Sequence, residues 1–260
     1  MKMEFLNANY ANTTTMFTVD SNTAGTAFIF DRRPNRQYTS LGYADDTTQT
    51  SIRIQFTNTV TVNRIVLQNT NAKNFVLYYG GVTANTLALT TSCGTAASSW
   101  TQNSATNLYM ILASTTAMTS LSLDIRSTQT ANEEKALGQL IVTSQLYTFT
   151  RNPDIGGYTP SVKAKEIKHE MSEGGTLTYR IRDKVKYDLR VRHNTDTANL
   201  RTVYDLNQEF YFAPFPTGTS WDGFINEVNW VGGFNVGRKP SQNYIQTGTD
   251  DSISLEETPS

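Results

Sequence analysis

From Thr176 to Arg192 almost every odd position is apolar: Leu177, Tyr179, Ile181, Val185, Tyr187, Leu189 and Val191. The even positions are polar or charged. Side chains on an extended strand point alternately to opposite faces, so a period of two sustained over this length predicts one long strand, or two in register, with one buried face. Asp183, flanked by Arg182 and Lys184, is the sole break and marks a tight turn or a bulge. A chain built around such a segment is a sheet protein.

The first half repeats the message in shorter pieces. Ser51–Phe56 alternates with Ile52, Ile54 and Phe56 on one face. Val60, Val62 and Ile65-Val66-Leu67 follow Thr57-Asn58-Thr59, and Phe75–Tyr79 follows Asn69-Thr70-Asn71 and closes on Gly80-Gly81. Leu108–Leu112, Leu121–Ile125 and Leu137–Val142 complete a series of regular short strands between turn signals, the mark of a sandwich or barrel. The composition agrees, with 17% charged residues, 13 Tyr and 12 Phe. That mixture suits strands joined by polar, uncharged turns rather than a helical bundle.

Length divides the chain in two, since 260 residues exceed the usual single domain. Periodicity fades and Pro and Gly gather over Thr148–Pro160, giving a first unit of 1–147, a linker of 148–160 and a second unit of 161–260. In the second unit charge rises from Lys163 to the turn Glu173-Gly174-Gly175 and the long alternating strand follows. Asp196–Gln208 carries Leu200, Val203, Tyr204 and Leu206 at helical spacing behind an Asn194 or Thr195 cap. Phe210–Pro216, Glu227–Val231 and Tyr244–Leu255 read as strands, with Thr219–Gly223 as a turn. The expected fold class is mainly β: an N-terminal β-sandwich, then an α+β domain with long antiparallel strands and one helix.

The first half resembles the discoidin, or factor V/VIII C-type, family of galactose-binding-like jelly rolls. The resemblance runs from Asn7 to Tyr147 and is carried by Asp31 with Gln37-Tyr38-Thr39-Ser40, by Ser51–Phe56 and Val62–Asn69, by Lys73–Tyr79 and by Gly138–Tyr147. Tyr38 stands where the family usually has Trp. The resemblance implies a jelly roll whose loops hold a structural calcium in some members, for which Asp31, Asp45 and Asp46 offer hard oxygens. It also implies glycan binding by loop aromatics and polar partners, for which Arg32, Arg33, Arg36, Tyr38, Tyr43 and Trp100 are candidates. The alternative is that Tyr38 fills the core and the arginines pair across a domain interface. More loosely, the second half resembles tube-type domains of phage tails, and Phe212–Pro216 followed by Ser220-Trp221-Asp222-Gly223 is similar to tail or baseplate proteins of marine phages.

Several functions find no support. A net charge of -1 supplies no field for nucleic acid. Cys93 is the one cysteine, so neither an intrachain disulfide nor a multi-thiolate metal site forms. The start of the sequence lacks a secretory apolar run, and no apolar stretch reaches the roughly 20 residues of a membrane span. Only His169 and His193 could serve as imidazole bases, no Gly-x-Ser-x-Gly elbow occurs, and the doublets Asp45-Asp46, Glu133-Glu134 and Asp250-Asp251 read as solvated turn residues. No catalytic residues are assigned, and an enzyme is not expected.

The even positions Arg180, Arg182, Lys184, Lys186, Arg190 and Arg192 form a basic strand face, diluted by Glu166, Glu170, Glu173, Asp183 and Asp188. It suits subunit contacts better than phosphates. The leading expectation is a phage virion structural protein of the tail, baseplate or adaptor. It would be made in the host cytoplasm without a signal peptide and assemble with copies of itself and other virion proteins. The alternative is a carbohydrate-binding adhesion module for host-surface glycans. No cofactor is expected beyond the calcium.

Overall fold

A computed structural model describes residues 2–33, 35–81, 85–87, 89–91, 101–153, 157–170, 173–174, 176–214, 225–237 and 249–258. The strands are β1 (Glu4–Leu6), β2 (Phe17–Val19), β3 (Tyr38–Thr39), β4 (Thr50–Thr70), β5 (Ala72–Tyr79), β6 (Leu89–Thr91), β7 (Thr101–Gln102), β8 (Leu108–Thr128), β9 (Ala136–Thr143) and β10 (Gln145–Thr148). Then come β11 (Tyr158–Glu170), β12 (Thr176–Asn194), helix α1 (Thr197–Asp205), β13 (Phe210–Ala213), β14 (Asn226–Trp230), β15 (Asn235–Gly237) and β16 (Thr249–Glu257). All pairings among them are antiparallel, and the class is mainly β as the periodicities predict.

Two strands of 21 residues organise the first unit. The first half of β4 pairs with the second half of β8, from Thr50 opposite Ile125 to Gln55 opposite Ser120, and is flanked by β2 and β5. Its second half pairs with the first half of β8 and with β9. Both long strands therefore serve both layers of a sandwich, which closes on Ile52, Ile54, Leu67, Leu77, Leu123 and Leu140. The sequence suggests a turn at Thr57-Asn58-Thr59, yet the chain stays extended there. The register slips between Gln55 and Val60, a bulge that absorbs the turn-formers without ending the strand.

The second sheet runs β10-β1-β13-β14-β16-β12-β11, with β15 also on β16. The alternating segment is indeed one strand, β12. Its irregularity falls between Arg180 and Arg182, opposite Glu166 and Lys165, and Asp183 pairs regularly with Ala164. The break in apolar pattern at Asp183 is thus a polar side chain on continuous backbone, and the register slip lies at Ile181.

Pairing also differs from the expected segmentation. The strand β1, within 1–147, and β10, which straddles its end, belong to the second sheet. Aromatic burial explains it: the Phe5 ring lies 5.0 Å from Phe149 and 4.8 Å from Phe210, centroid to centroid. The passage from one unit to the other therefore falls between β9 and β10, and Phe149, inside the expected linker, is fully buried.

The two units share one wall. Within β13, Phe210 and Phe212 join the second core while Tyr211 and Ala213 join the first, as a period of two requires of a strand covered on both faces. Strand β9 is likewise buried at every position. A buried ion pair crosses the same wall. Glu4 of β1 accepts from Arg64 of β4 at 2.8 and 2.9 Å, with the Tyr109 hydroxyl donating to the same carboxylate and Thr148 Oγ1 donating at 3.1 Å. The Gln145 side-chain oxygen takes a further Arg64 N–H at 2.7 Å. Every charge is matched, which a buried pair needs to offset its desolvation.

Candidate functional site

The structure disperses the residues predicted for a loop site on the jelly roll. Tyr38 is 1% exposed. Its hydroxyl donates to the Ser21 carbonyl at 2.8 Å, and burial raises its phenol pKa. It fills the core and offers no face to a sugar. Arg32 reaches across to the second sheet, with Nε 2.6 Å from Glu227 Oε2 and Nη1 3.5 Å from Glu209 Oε2. It is an interface residue. Arg33 donates its backbone N–H to Asp31 Oδ1 at 2.9 Å, Arg36 lies 5.9 Å from the Phe28 ring centroid, and Tyr43 is half-buried. Trp100 lies outside the described residues.

The expected calcium ligands are not brought together either. Asp31 Oδ1 serves the Arg33 N–H. Asp45 Oδ1 accepts from the Thr47 N–H and hydroxyl and from the Thr48 N–H at 2.9, 2.5 and 2.6 Å, which holds its carboxyl well below the usual carboxylate range. Asp46 Oδ1 accepts from Thr128 at 3.2 and 3.3 Å. Among the described residues no three His, Cys, Asp or Glu side chains converge to hold a metal ion.

Of the basic stripe on β12, Lys184 pairs with Glu256 at 3.0 Å and Lys186 with Asp188 at 2.8 Å. Arg190 is exposed, and the side chains of Arg180, Arg182 and Arg192 lie outside the described residues, as do those of His169 and His193. Cross-strand and same-strand acids thus neutralise two of the described members.

A site emerges instead where α1 crosses the second sheet. Leu200 and Val203 bury the helix by their i, i+3 spacing. The N-cap position is Asp196, rather than Asn194 or Thr195, and past the helix end Asn207 turns left-handed at φ +47°, which returns the chain to β13. This leaves Tyr204 beside the sheet rather than under the helix. Its ring meets Trp230 of β14 edge to face, with centroids 5.3 Å apart at 75°. Phe234 completes the cluster at 5.5 Å from Tyr204 and 5.7 Å from Trp230. Arg201 caps Phe234 at 5.4 Å and pairs with Asp205 one turn on at 3.2 Å.

Beside these rings lies a cleft of about 490 Å³, lined by Tyr204, Trp230, Asn207, Gln208, Asn229 and Asp205 together with Val203, Phe210 and Gly232. Its size is that of a small-molecule site. The Trp230 indole N–H is buried and has no hydrogen-bond partner among the described residues. The lining thus combines aromatic rings with three amide side chains and one carboxylate. Apolar ring faces and a few convergent amides can bind a polyhydroxylated ring by stacking and hydrogen bonding. Among the described residues, the lining side chains include neither paired carboxylates nor a nucleophile with its base, which chemistry on that ring would need.

Sequence reading missed this site because it placed Tyr204 on the apolar stripe of the helix and Trp230 in a strand. The available signal was an excess: Leu200 and Val203 already satisfy one helical face, leaving Tyr204 over.

Neither any protein-family model nor any curated protein matches the chain. Among solved structures, chitosan-binding module 1 of a chitosanase/glucanase from Paenibacillus sp. IK-5, in a selenomethionine-labelled mutant form, aligns at 15% identity with a TM-score of 0.40, over 53% of this chain and 98% of its own. The family 32 carbohydrate-binding module of Streptococcus pneumoniae EndoD aligns at 15% and 0.37, over 52% of this chain and 98% of its own. A Clostridium perfringens module solved with GalNAc-β-1,3-galactose aligns at 14% and 0.37, over 48% and 92%. Similarity of this degree carries no inference about what this chain binds.

Proposed function

We propose that this protein is a non-enzymatic glycan-binding protein acting in adhesion, and that the cleft between α1 and β14 is its sugar site. The observation that carries the reading is a cleft that sets the aromatic side chains of Tyr204 and Trp230, 5.3 Å apart, beside three amides. Ring faces supply apolar contact to a sugar, and amides hydrogen-bond its hydroxyls and fix its orientation. The test is a glycan array on the full chain followed by calorimetry on the best binder. Trp230→Ala and Tyr204→Ala should each weaken binding at least about tenfold, the loss of one good stacking contact. Tyr43→Ala, on the jelly-roll loop, should leave it unchanged. The opposite pattern moves the site to the jelly-roll loops and sinks the cleft.

A second reading is a virion structural component that assembles with copies of itself and with other virion proteins. It is favoured by the β11–β12 hairpin, because β12 meets β16 only from Lys186 to Asn194. Its earlier residues pair with β11 alone among the described residues. A two-stranded ribbon is marginal in water, and an open strand edge invites pairing with another chain. Mass spectrometry and cryo-EM of the native particle decide: the chain in a ring joined through this hairpin supports the reading, and its absence from any particle ends it.

A further inference from the structure

Lys135 is 0% exposed. Its backbone is fixed on Ser40, whose Oγ accepts the Lys135 N–H at 2.9 Å and whose N–H donates to the Lys135 carbonyl at 2.9 Å. The side chain then runs under the loop between β3 and β4 and delivers its ammonium to backbone carbonyls, that of Asp45 at 2.6 Å and that of Tyr43. Two carbonyls turned inward upon a positive charge, on a loop that also carries Asp45 and Asp46, are the donor arrangement that a hard cation uses. The carboxylates do not complete a calcium shell of about six to eight oxygens. An oxygen of each is already committed, Asp45 Oδ1 to Thr47 and Thr48, and Asp46 Oδ1 to Thr128.

We propose that this loop is a cation cradle which the chain fills with its own Lys135 ammonium, so that the loop is held without the calcium that resemblance to the discoidin family implies. Burial lowers the Lys135 pKa, while Asp45 and Asp46 oppose that shift and favour the charged form. The other acid facing the loop, Glu134, accepts the Gly42 N–H at 3.4 Å. The ammonium thus meets carbonyl oxygens directly and balances acids behind them, as a bound ion would, but it is supplied by the chain and cannot be chelated away.

The experiment is thermal unfolding of the full chain, once with a chelator and once with millimolar calcium, for the wild type and for Lys135→Met, which keeps the stem and removes the ammonium. The wild-type midpoint should be the same in both buffers. The variant should melt roughly 5–10 °C lower in both, because two inward carbonyls lose their donor. A wild-type midpoint that rises with calcium overturns the proposal, and so does a variant that melts with the wild type. Should Lys135→Met fail to fold, the wild-type comparison alone decides, a calcium response overturning the proposal and its lack supporting it.

Discussion

Replacing Glu227 by Gln should make the protein less sensitive to pH. Glu227 is 7% exposed between the two units, and burial pushes its pKa from the ordinary 4.5 up to about 7, with Arg32 pulling it down and Glu209 pushing it further up. The folded state therefore holds a proton that the unfolded state releases between those two values. The sign follows: the contribution of Glu227 to stability is fully present below pH 4.5, is lost as pH rises to about 7, and levels off above. The difference of about 2.5 pKa units at 1.36 kcal/mol each amounts to about 3 kcal/mol. Glutamine has the shape of the protonated acid and does not titrate. Denaturant unfolding of wild type and Glu227→Gln at intervals from pH 4.5 to 8.5 should give curves that nearly coincide at the acid end, with the variant ahead by roughly 2–3 kcal/mol at the alkaline end. A gap that stays constant across the range, or one that favours the wild type at pH 8, would refute the reasoning, because the Arg32 pair would then outweigh desolvation.

The remaining predictions concern the shared wall and the cleft. Arg64→Met leaves the Glu4 carboxylate buried without its cation and should destabilise by about 3–5 kcal/mol in chemical denaturation. Glu4→Gln with Arg64→Met should recover part of that loss, which a double-mutant cycle measures. Phe5→Ala removes the ring around which Phe149, Phe210 and Phe212 gather and should cost about 3–5 kcal/mol in the same assay. Asn207→Gly, at a left-handed position, should be within a few tenths of a kcal/mol of neutral, whereas Asn207→Val should cost ~1–2 kcal/mol by thermal melting.

Strand content was legible where a strand has one wet and one dry face, as along residues 50–56, because alternation records that directly. The readings that failed did so where a face is covered by something distant in the chain. Ala136–Thr143 is buried on both faces, so its outward side carries no polar alternation to betray the second sheet. Residues 4–6 are too few to show a period, and their assignment to the second sheet depends on partners about 140 and 205 residues away. The site was harder still. Arg32 and Tyr38 have the residue types of sugar ligands, but an acid on another domain claims one and the core claims the other. Tyr204 and Trp230 become neighbours only when helix and sheet pack.

Strand β13 gives alternate side chains to two cores, and this has a mechanical consequence. A tether seated in the α1–β14 cleft would load the molecule as a single beam, since β13, the neighbour of β14 in the sheet, is packed into the sandwich behind it. Stretching a captured molecule should show both halves yielding in one event, and an insertion that loosens β13 should split that event in two.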